Sequence, residues 1–360
     1  MSGGQGGGVT SSRTRGRTRG RPRPPIDRSR RALLGVGVFG ATAWTVNRST
    51  GLLGWLSHVD AADASSSDAA TAVAPATTAA PALVGAAQVG ATSPEAEVLV
   101  APGESRQLVF TPAGATRAFS GLLGRPVADQ RTTAVILVHG GGATGGGQAD
   151  CVAWGAWYRD HGYLTFAIDY RLADPLVDHG IYPIPEQNTK AAIQYLRMHA
   201  EELGIERIVV QGHSAGARLG AIAATTADLP SFAGREVWTG VSDRIDAFIG
   251  FYGYYDGVQY EPTAYYGGTG AAPSTAVSTK RATRVTGPVY LLHGEADWIV
   301  GANRSQAFAD ALDAAGADVT LEIVPGADHG YDGYATPALT PIGLQTAPRV
   351  SAWLESHATD

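Results

Sequence analysis

The sequence predicts an α/β domain over residues 96–360, a mostly parallel central sheet with helices on both faces. Three observations carry that expectation. Short apolar runs without polar alternation recur along the chain, as strands buried on both faces require. Between them lie segments with apolar residues at helical spacing. Glycine-rich turns sit directly behind several of the runs. Alternation of the two element types is the pattern of parallel strands joined by helical crossovers.

In chain order, residues 97–100 and 106–111 read as an opening antiparallel pair. Runs 134–138 and 164–168 are buried parallel strands. Over 188–203, Ala192, Ile193, Leu196, Ala200 and Leu203 repeat at helical spacing, and Gly204 follows as a C-cap. Run 208–210 is the next buried strand, followed by a helix across 215–226. Runs 245–251, 289–292 and 319–323 complete the strand set. Helices over 305–315 and 346–356 cover the sheet. No internal repeat is visible.

The segment ahead of this domain is different in kind. Residues 1–31 hold nine Arg and one acidic residue, about +8, while the whole chain is −6, so the rest carries about −14. An acidic body repels phosphate, which disfavours nucleic acid and anionic membrane as partners. Arg30 and Arg31 precede an apolar stretch over 32–46, the layout of a twin-arginine export signal. That stretch is shorter than the ~20 residues that span a bilayer. Residues 1–64 are therefore expected to be a disordered basic tail with an export signal, giving an extracellular or cell-envelope protein. Anchoring through uncleaved residues 32–59 is the alternative, and the only membrane contact expected. Residues 65–95, rich in Ala, Thr and Pro with almost no charge, read as a linker. The single cysteine, Cys151, excludes an intramolecular disulfide and is read as a small buried apolar residue.

The chemistry concentrates in four places. Gly212-His213-Ser214-Ala215-Gly216 follows one apolar run and opens a helical segment, the context of a nucleophile elbow. Glycines flank the serine because the turn is tight, and the helix N-terminus beyond it directs partial positive charge at the reacting centre. In a chain with 47 glycines the pentapeptide alone is a modest signal; the flanking strand and helix sharpen it. His139-Gly140-Gly141-Gly142 follows run 134–138. Its glycines let backbone N–H groups approach a substrate closely, so Gly141 and Gly142, with Ala215, are the expected oxyanion donors. The His139 ring is expected to prop this loop. A serine hydroxyl needs a base, and His329, in a loop past the last strand, is the best placed histidine. An imidazole needs an acid to fix its tautomer. Asp297, behind run 289–292, fills that role, with Glu295 as the alternative. His293 is expected to order the Asp297 loop and Asp328 to cap its own loop.

These motifs together resemble the α/β-hydrolase superfamily, and within it the hormone-sensitive-lipase-like and bacterial carboxylesterase members, including the feruloyl and acetylxylan esterase-like group. The resemblance runs from about 134 to 330. His139–Gly142 is similar to the family's oxyanion motif, Asp169-Tyr170-Arg171-Leu172-Ala173 to its D-Y-R-L-A signature, and Ser214, Asp297 and His329 fall on its triad positions. Two departures are Ala217 where a second glycine is common, and Asn188 where an aspartate usually starts the helix before the elbow. The resemblance implies a serine esterase that cleaves carboxylic esters, with short acyl chains preferred, and needs neither metal nor organic cofactor. Its partner would be a small-molecule or carbohydrate-linked ester. Trp154, Tyr252 and Tyr254 are candidate substrate contacts, in a chain whose 252–287 segment is crowded with tyrosine; such rings are more often plain packing or pocket walls. An exopeptidase or amidase on the same fold, and a non-catalytic extracellular binding module, stay open as alternatives.

Overall fold

A computed structural model describes residues 100–112 and 114–358 of the chain. The expected tail, export signal, linker and most of run 97–100 lie outside the described residues. Eight strands form one sheet: β1 (Ser105–Phe110), β2 (Phe119–Gly124), β3 (Thr133–Val138), β4 (Leu164–Ile168), β5 (Arg207–His213), β6 (Ala247–Phe251), β7 (Val289–Gly294) and β8 (Val319–Val324). Their order is β1-β2-β4-β3-β5-β6-β7-β8. β2 pairs antiparallel with β1 and β4, and every other neighbouring pair is parallel.

The central strands lack alternation because both of their faces are covered. Every residue of β3, β4, β6 and β7 is buried. Successive side chains enter two different cores. Ile136, Val138, Val210, Phe248 and Leu291 face helices α2 (Ile184–Met198), α4 (Ala215–Thr225) and α6 (Asn303–Ala314). Val135, Leu137, Val209, Ile249 and Leu292 face α1 (Val152–Asp160) and α7 (Pro341–His357). Burial of one such aliphatic or aromatic side chain contributes about 1.5–3 kcal/mol, so the two-sided layering is the main support of the sheet.

The structure departs from the expected elements at three places. The antiparallel pair that opens the described sheet is β1 with β2; the pairing expected between 97–100 and 106–111 lies mostly outside the described residues. Glycines obscured β2: Gly121 lies against the Phe166 ring of β4, where any Cβ would collide, and glycine weakens the sequence signature of a strand. The helix read over 188–203 starts earlier and divides. Pro185 is tolerated in the first turn of α2, and His199 separates α2 from the single turn α3 (Ala200–Leu203), which Gly204 ends in a left-handed conformation at φ 66°. Likewise α7 begins at Pro341, capped by the Thr340 hydroxyl, which accepts from the Gly343 N–H at 3.0 Å.

This topology places the site. β3 has β4 on one side and β5 on the other, so the crossover from β3 to β4 runs one way along the sheet and that from β4 to β5 returns past β3 the other way. A crevice opens outside the carboxyl ends of strands at such a reversal. The loop after β3 and the turn after β5 both end there.

Candidate active site

Ser214 occupies the turn between β5 and α4 at φ 51°, ψ −112°, a backbone region costly for a residue with a Cβ. Neighbouring contacts over-determine it. A Cβ on Gly212 would strike the backbone of Gly216, and one on Gly216 the carbonyls of Val138 and His139. The Ser214 N–H donates to the Phe251 carbonyl at 2.9 Å, tying the turn to the end of β6. Helix α4 opens at Ala215, whose N–H belongs to the donors left free in a first helical turn.

The loop after β3 is shaped by glycines with positive φ, 100° at Gly141 and 64° at Gly142. Its carbonyls are held on one side. Tyr170 Oη donates to the carbonyls of His139 at 3.1 Å and Gly140 at 3.2 Å, and His139 Nδ1 lies 2.8 Å from the latter. Thr144 and Gly145 N–H groups donate to the Gly141 carbonyl at 3.1 and 3.0 Å. In a trans peptide the N–H points opposite to the C=O, so the N–H groups of Gly141 and Gly142 are directed away from these anchors. The Gly140 N–H is engaged by Tyr334 Oη at 2.9 Å. A Cβ on Gly140 would lie 3.3 Å from that of Ser214, so the loop borders the nucleophile. The His139 ring stacks on Tyr170 with centroids 4.2 Å apart, and burial pushes its imidazole below the ordinary range.

Asp297 and His329 meet from two loops: Asp297 Oδ2 is 2.7 Å from His329 Nδ1. The second oxygen, Oδ1, accepts the N–H groups of Ile299 at 2.9 Å and Val300 at 2.8 Å. His293 Nε2 lies 2.7 Å from the Val300 carbonyl and 3.2 Å from Asp297 Oδ2, while its Nδ1 faces Ser305 Oγ at 2.7 Å. His293 thus orders the acid loop. Burial alone would raise the Asp297 carboxyl; hydrogen bonds from His293, His329 and the Val300 N–H outweigh it and hold the group well below the usual carboxylate range. Glu295 is elsewhere, accepting the exposed Gly326 N–H at 3.0 Å. Asp328 accepts the His329 N–H at 2.6 Å and the Trp298 indole at 3.2 Å, a loop cap beside the base.

The candidate substrate contacts divide. Trp154 is a correction: it is enclosed among Tyr158, His213 and Phe251, and its indole N–H donates to Asp332 Oδ2 at 2.6 Å. Tyr252 is also buried, but its ring lies 4.6 Å from that of His329. Tyr254 packs beside Ala215 and Val300. Tyr255 and Tyr265 are fully buried as well, so most of the tyrosine-rich segment is packing. Two aromatics at the rim escaped the sequence reading as site residues. Tyr260, half exposed, borders Gly142, and Trp298, 77% exposed, follows the acid directly. Asp332, three residues past His329 and fully buried, is a third residue that no sequence motif marks. Cys151 is buried, and burial pushes its thiol well above the ordinary range, which leaves no thiolate nucleophile. Among the described residues no group of three or more His, Cys, Asp or Glu is arranged to hold a metal ion, and no helix is long and apolar enough to cross a membrane.

Comparison with known proteins follows the same lines. Residues 123–312, more than half of the chain, match the BD-FAE family. Esterase LipC of Mycobacterium tuberculosis is 29% identical over 189 residues, covering 48% of this chain and 46% of LipC. The probable carboxylic ester hydrolase LipM of the same organism is 26% identical over 251 residues, covering 61% of this chain and 55% of LipM. The chain spans about half the length of the curated relatives it matches. Among solved structures, the apo form of Thermogutta terrifontis esterase 2 superposes with a TM-score of 0.59 at 23% identity, over 72% of this chain and 96% of that one. Its paraoxon-phosphorylated form gives 0.60 at 22%, over 72% and 97%. At such identity the likeness establishes the fold, that of the α/β-hydrolases.

Proposed function

This chain belongs to the BD-FAE family, and from that premise we propose that it hydrolyses carboxylic esters through Ser214, His329 and Asp297. The observation that carries the proposal is the 2.7 Å contact of His329 Nδ1 with Asp297 Oδ2, taken with a strained serine elbow and a glycine loop with outward N–H groups. The esterase names of LipC and LipM point the same way.

In this reading Ser214 Oγ attacks the ester carbonyl carbon while His329 Nε2 takes its proton. Asp297 holds the proton on Nδ1 and stabilises the imidazolium. The N–H groups of Gly141, Gly142 and Ala215 receive the oxyanion, each worth about 3–4 kcal/mol in a dry site. His329 returns the proton to the leaving alcohol, and water then cleaves the acyl-enzyme by the same steps reversed. Each step is completed by side chains and backbone of this chain and one water. A short acyl group suits the packing beside the elbow, where Tyr254, Val258, Ile299 and Val300 surround Ala215.

The test is Ser214→Ala on the purified protein, assayed with acetyl to decanoyl p-nitrophenyl esters and with aminoacyl arylamides. The expected result is turnover of the short esters by the parent protein and a loss of about four orders of magnitude or more in the variant, with the circular dichroism spectrum unchanged. Retained ester turnover in the variant would overturn the assignment of the nucleophile. Faster turnover of arylamides than of esters would favour an amidase instead.

A further inference from the structure

Asp332 is a carboxylate with no solvent exposure. A buried charge persists only with partners, and it has three. Oδ2 accepts the Trp154 indole N–H at 2.6 Å and lies 3.0 Å from His213 Nε2; Oδ1 accepts the Tyr252 hydroxyl at 2.6 Å. Burial alone would raise this carboxyl. Its interaction with His213, with the hydrogen bonds from Tyr252 and Trp154, outweighs this and holds the group below its ordinary range. The catalytic reading above gives this ionised group no task.

Its partners suggest one. The three donors come from α1 and from the ends of β5 and β6, while Asp332 itself lies in the loop that carries His329. His213 immediately precedes Ser214. Tyr252 follows Phe251, whose carbonyl holds the Ser214 N–H at 2.9 Å. The Tyr252 ring stands 4.6 Å from the His329 ring at an interplanar angle of 57°. Its backbone is in the left-handed region, at φ 39°, unfavourable for an aromatic residue unless surrounding contacts impose it. The Tyr252 N–H donating to Leu292 at 2.7 Å and the hydroxyl on Asp332 are two such contacts.

We propose that Asp332 is a positioning residue: it ties the strand end before the nucleophile to the loop of the base, and through Tyr252 it fixes the face on which the His329 imidazole rests. This rests on the assignment of Ser214 and His329 made above. Asp332 touches no reacting atom. Its effect is on the geometry of proton transfer, and a sub-ångström misplacement of a base costs rate more than binding.

Two conservative variants separate this from mere scaffolding. Tyr252→Phe and Trp154→Phe each remove one donor to Asp332, but only Tyr252 also touches His329. For each, kcat and KM for p-nitrophenyl acetate, the melting temperature and the rate of Ser214 labelling by a fluorophosphonate are measured. Tyr252→Phe should lower kcat and the labelling rate about 10-fold, with KM within about two-fold. Trp154→Phe, which also leaves a cavity, should lower the melting temperature at least as much while kcat stays within about three-fold. Equal losses of kcat in the two variants, or unchanged kcat and labelling in Tyr252→Phe, would reduce the network to scaffolding and overturn the proposal. Failure of the parent protein to label at Ser214 would instead overturn the catalytic reading on which it rests.

Discussion

The two oxygens of Asp297 have separate duties. Oδ1 is occupied by the N–H groups of Ile299 and Val300, which fix the carboxylate to its own loop. Oδ2 faces His329 and, more distantly, His293. Asn at 297 would keep the backbone anchor through its carbonyl oxygen and turn its amide N–H₂ toward both imidazoles. His329 Nδ1 would then accept rather than donate, and the proton would sit on Nε2, where the serine proton has to go. Asp297→Asn is therefore expected to fold normally and to lose about 10³–10⁴-fold in kcat on p-nitrophenyl acetate, by the tautomer argument. Steady-state kinetics with a thermal melt of the same sample checks both halves; an active Asp297→Asn protein would show that another group orients the base.

Helix α4 explains why some of this was legible in the sequence and some was not. All eleven of its residues are buried, which small side chains allow: Ala215, Gly216, Ala217, Gly220 and Ala221 bring its backbone close to the sheet. At Gly216 a methyl group would collide with carbonyls at the end of β3, and at Gly220 with the Phe248 ring of β6. The glycine after the nucleophile is thus a packing requirement between helix and strand as well as a turn requirement. Gly216→Ala should destabilise the protein by about 1–3 kcal/mol or more, read as a lower urea midpoint at unchanged slope. It should also depress activity by displacing the loop after β3. Motifs of this kind are local: strand, turn and helix are contiguous, so Ser214, Gly141, Gly142, Asp297 and His329 could each be placed behind a predicted strand. β2 is not legible because its two glycines erase the strand signature; Gly121 is held against Phe166, and Gly124 against Thr165 and Ser105. Asp332 was missed because its meaning lies in donors from three distant elements, Trp154, His213 and Tyr252, which no spacing in the chain announces. Trp154 is ambiguous for the same reason: an aromatic near a catalytic loop looks the same in sequence whether it faces solvent or a buried carboxylate.

Taken together, the buried and half-buried ionisable groups set how the domain as a whole answers to acid. Asp297, Asp332 and Glu322 all sit below their ordinary range in the folded protein. A carboxyl with a depressed folded pKa contributes stability that is fully present above its unfolded value, about 4, and is lost as pH falls through the folded value. His139 has the same sign by a different cause. Burial disfavours its charged form and outweighs the pull of the Gly140 carbonyl and of Asp169 and Asp150. The unfolded chain therefore takes up this proton first, and stability begins to fall as pH drops through about 6.5, the unfolded imidazole value. Two stages are expected in the urea midpoint of the protein between pH 8 and pH 3. The upper belongs to His139, whose Nδ1 contact with Gly140 also holds the loop beside Ser214; the lower belongs to the carboxylates. His139→Gln, which keeps a polar side chain but does not titrate, should remove the upper stage and leave the lower one in place. A midpoint that is flat from pH 8 to pH 5 in the parent protein would mean that His139 takes up its proton without loss of the fold, and that the loop after β3 is less tightly sealed than its stacking on Tyr170 implies.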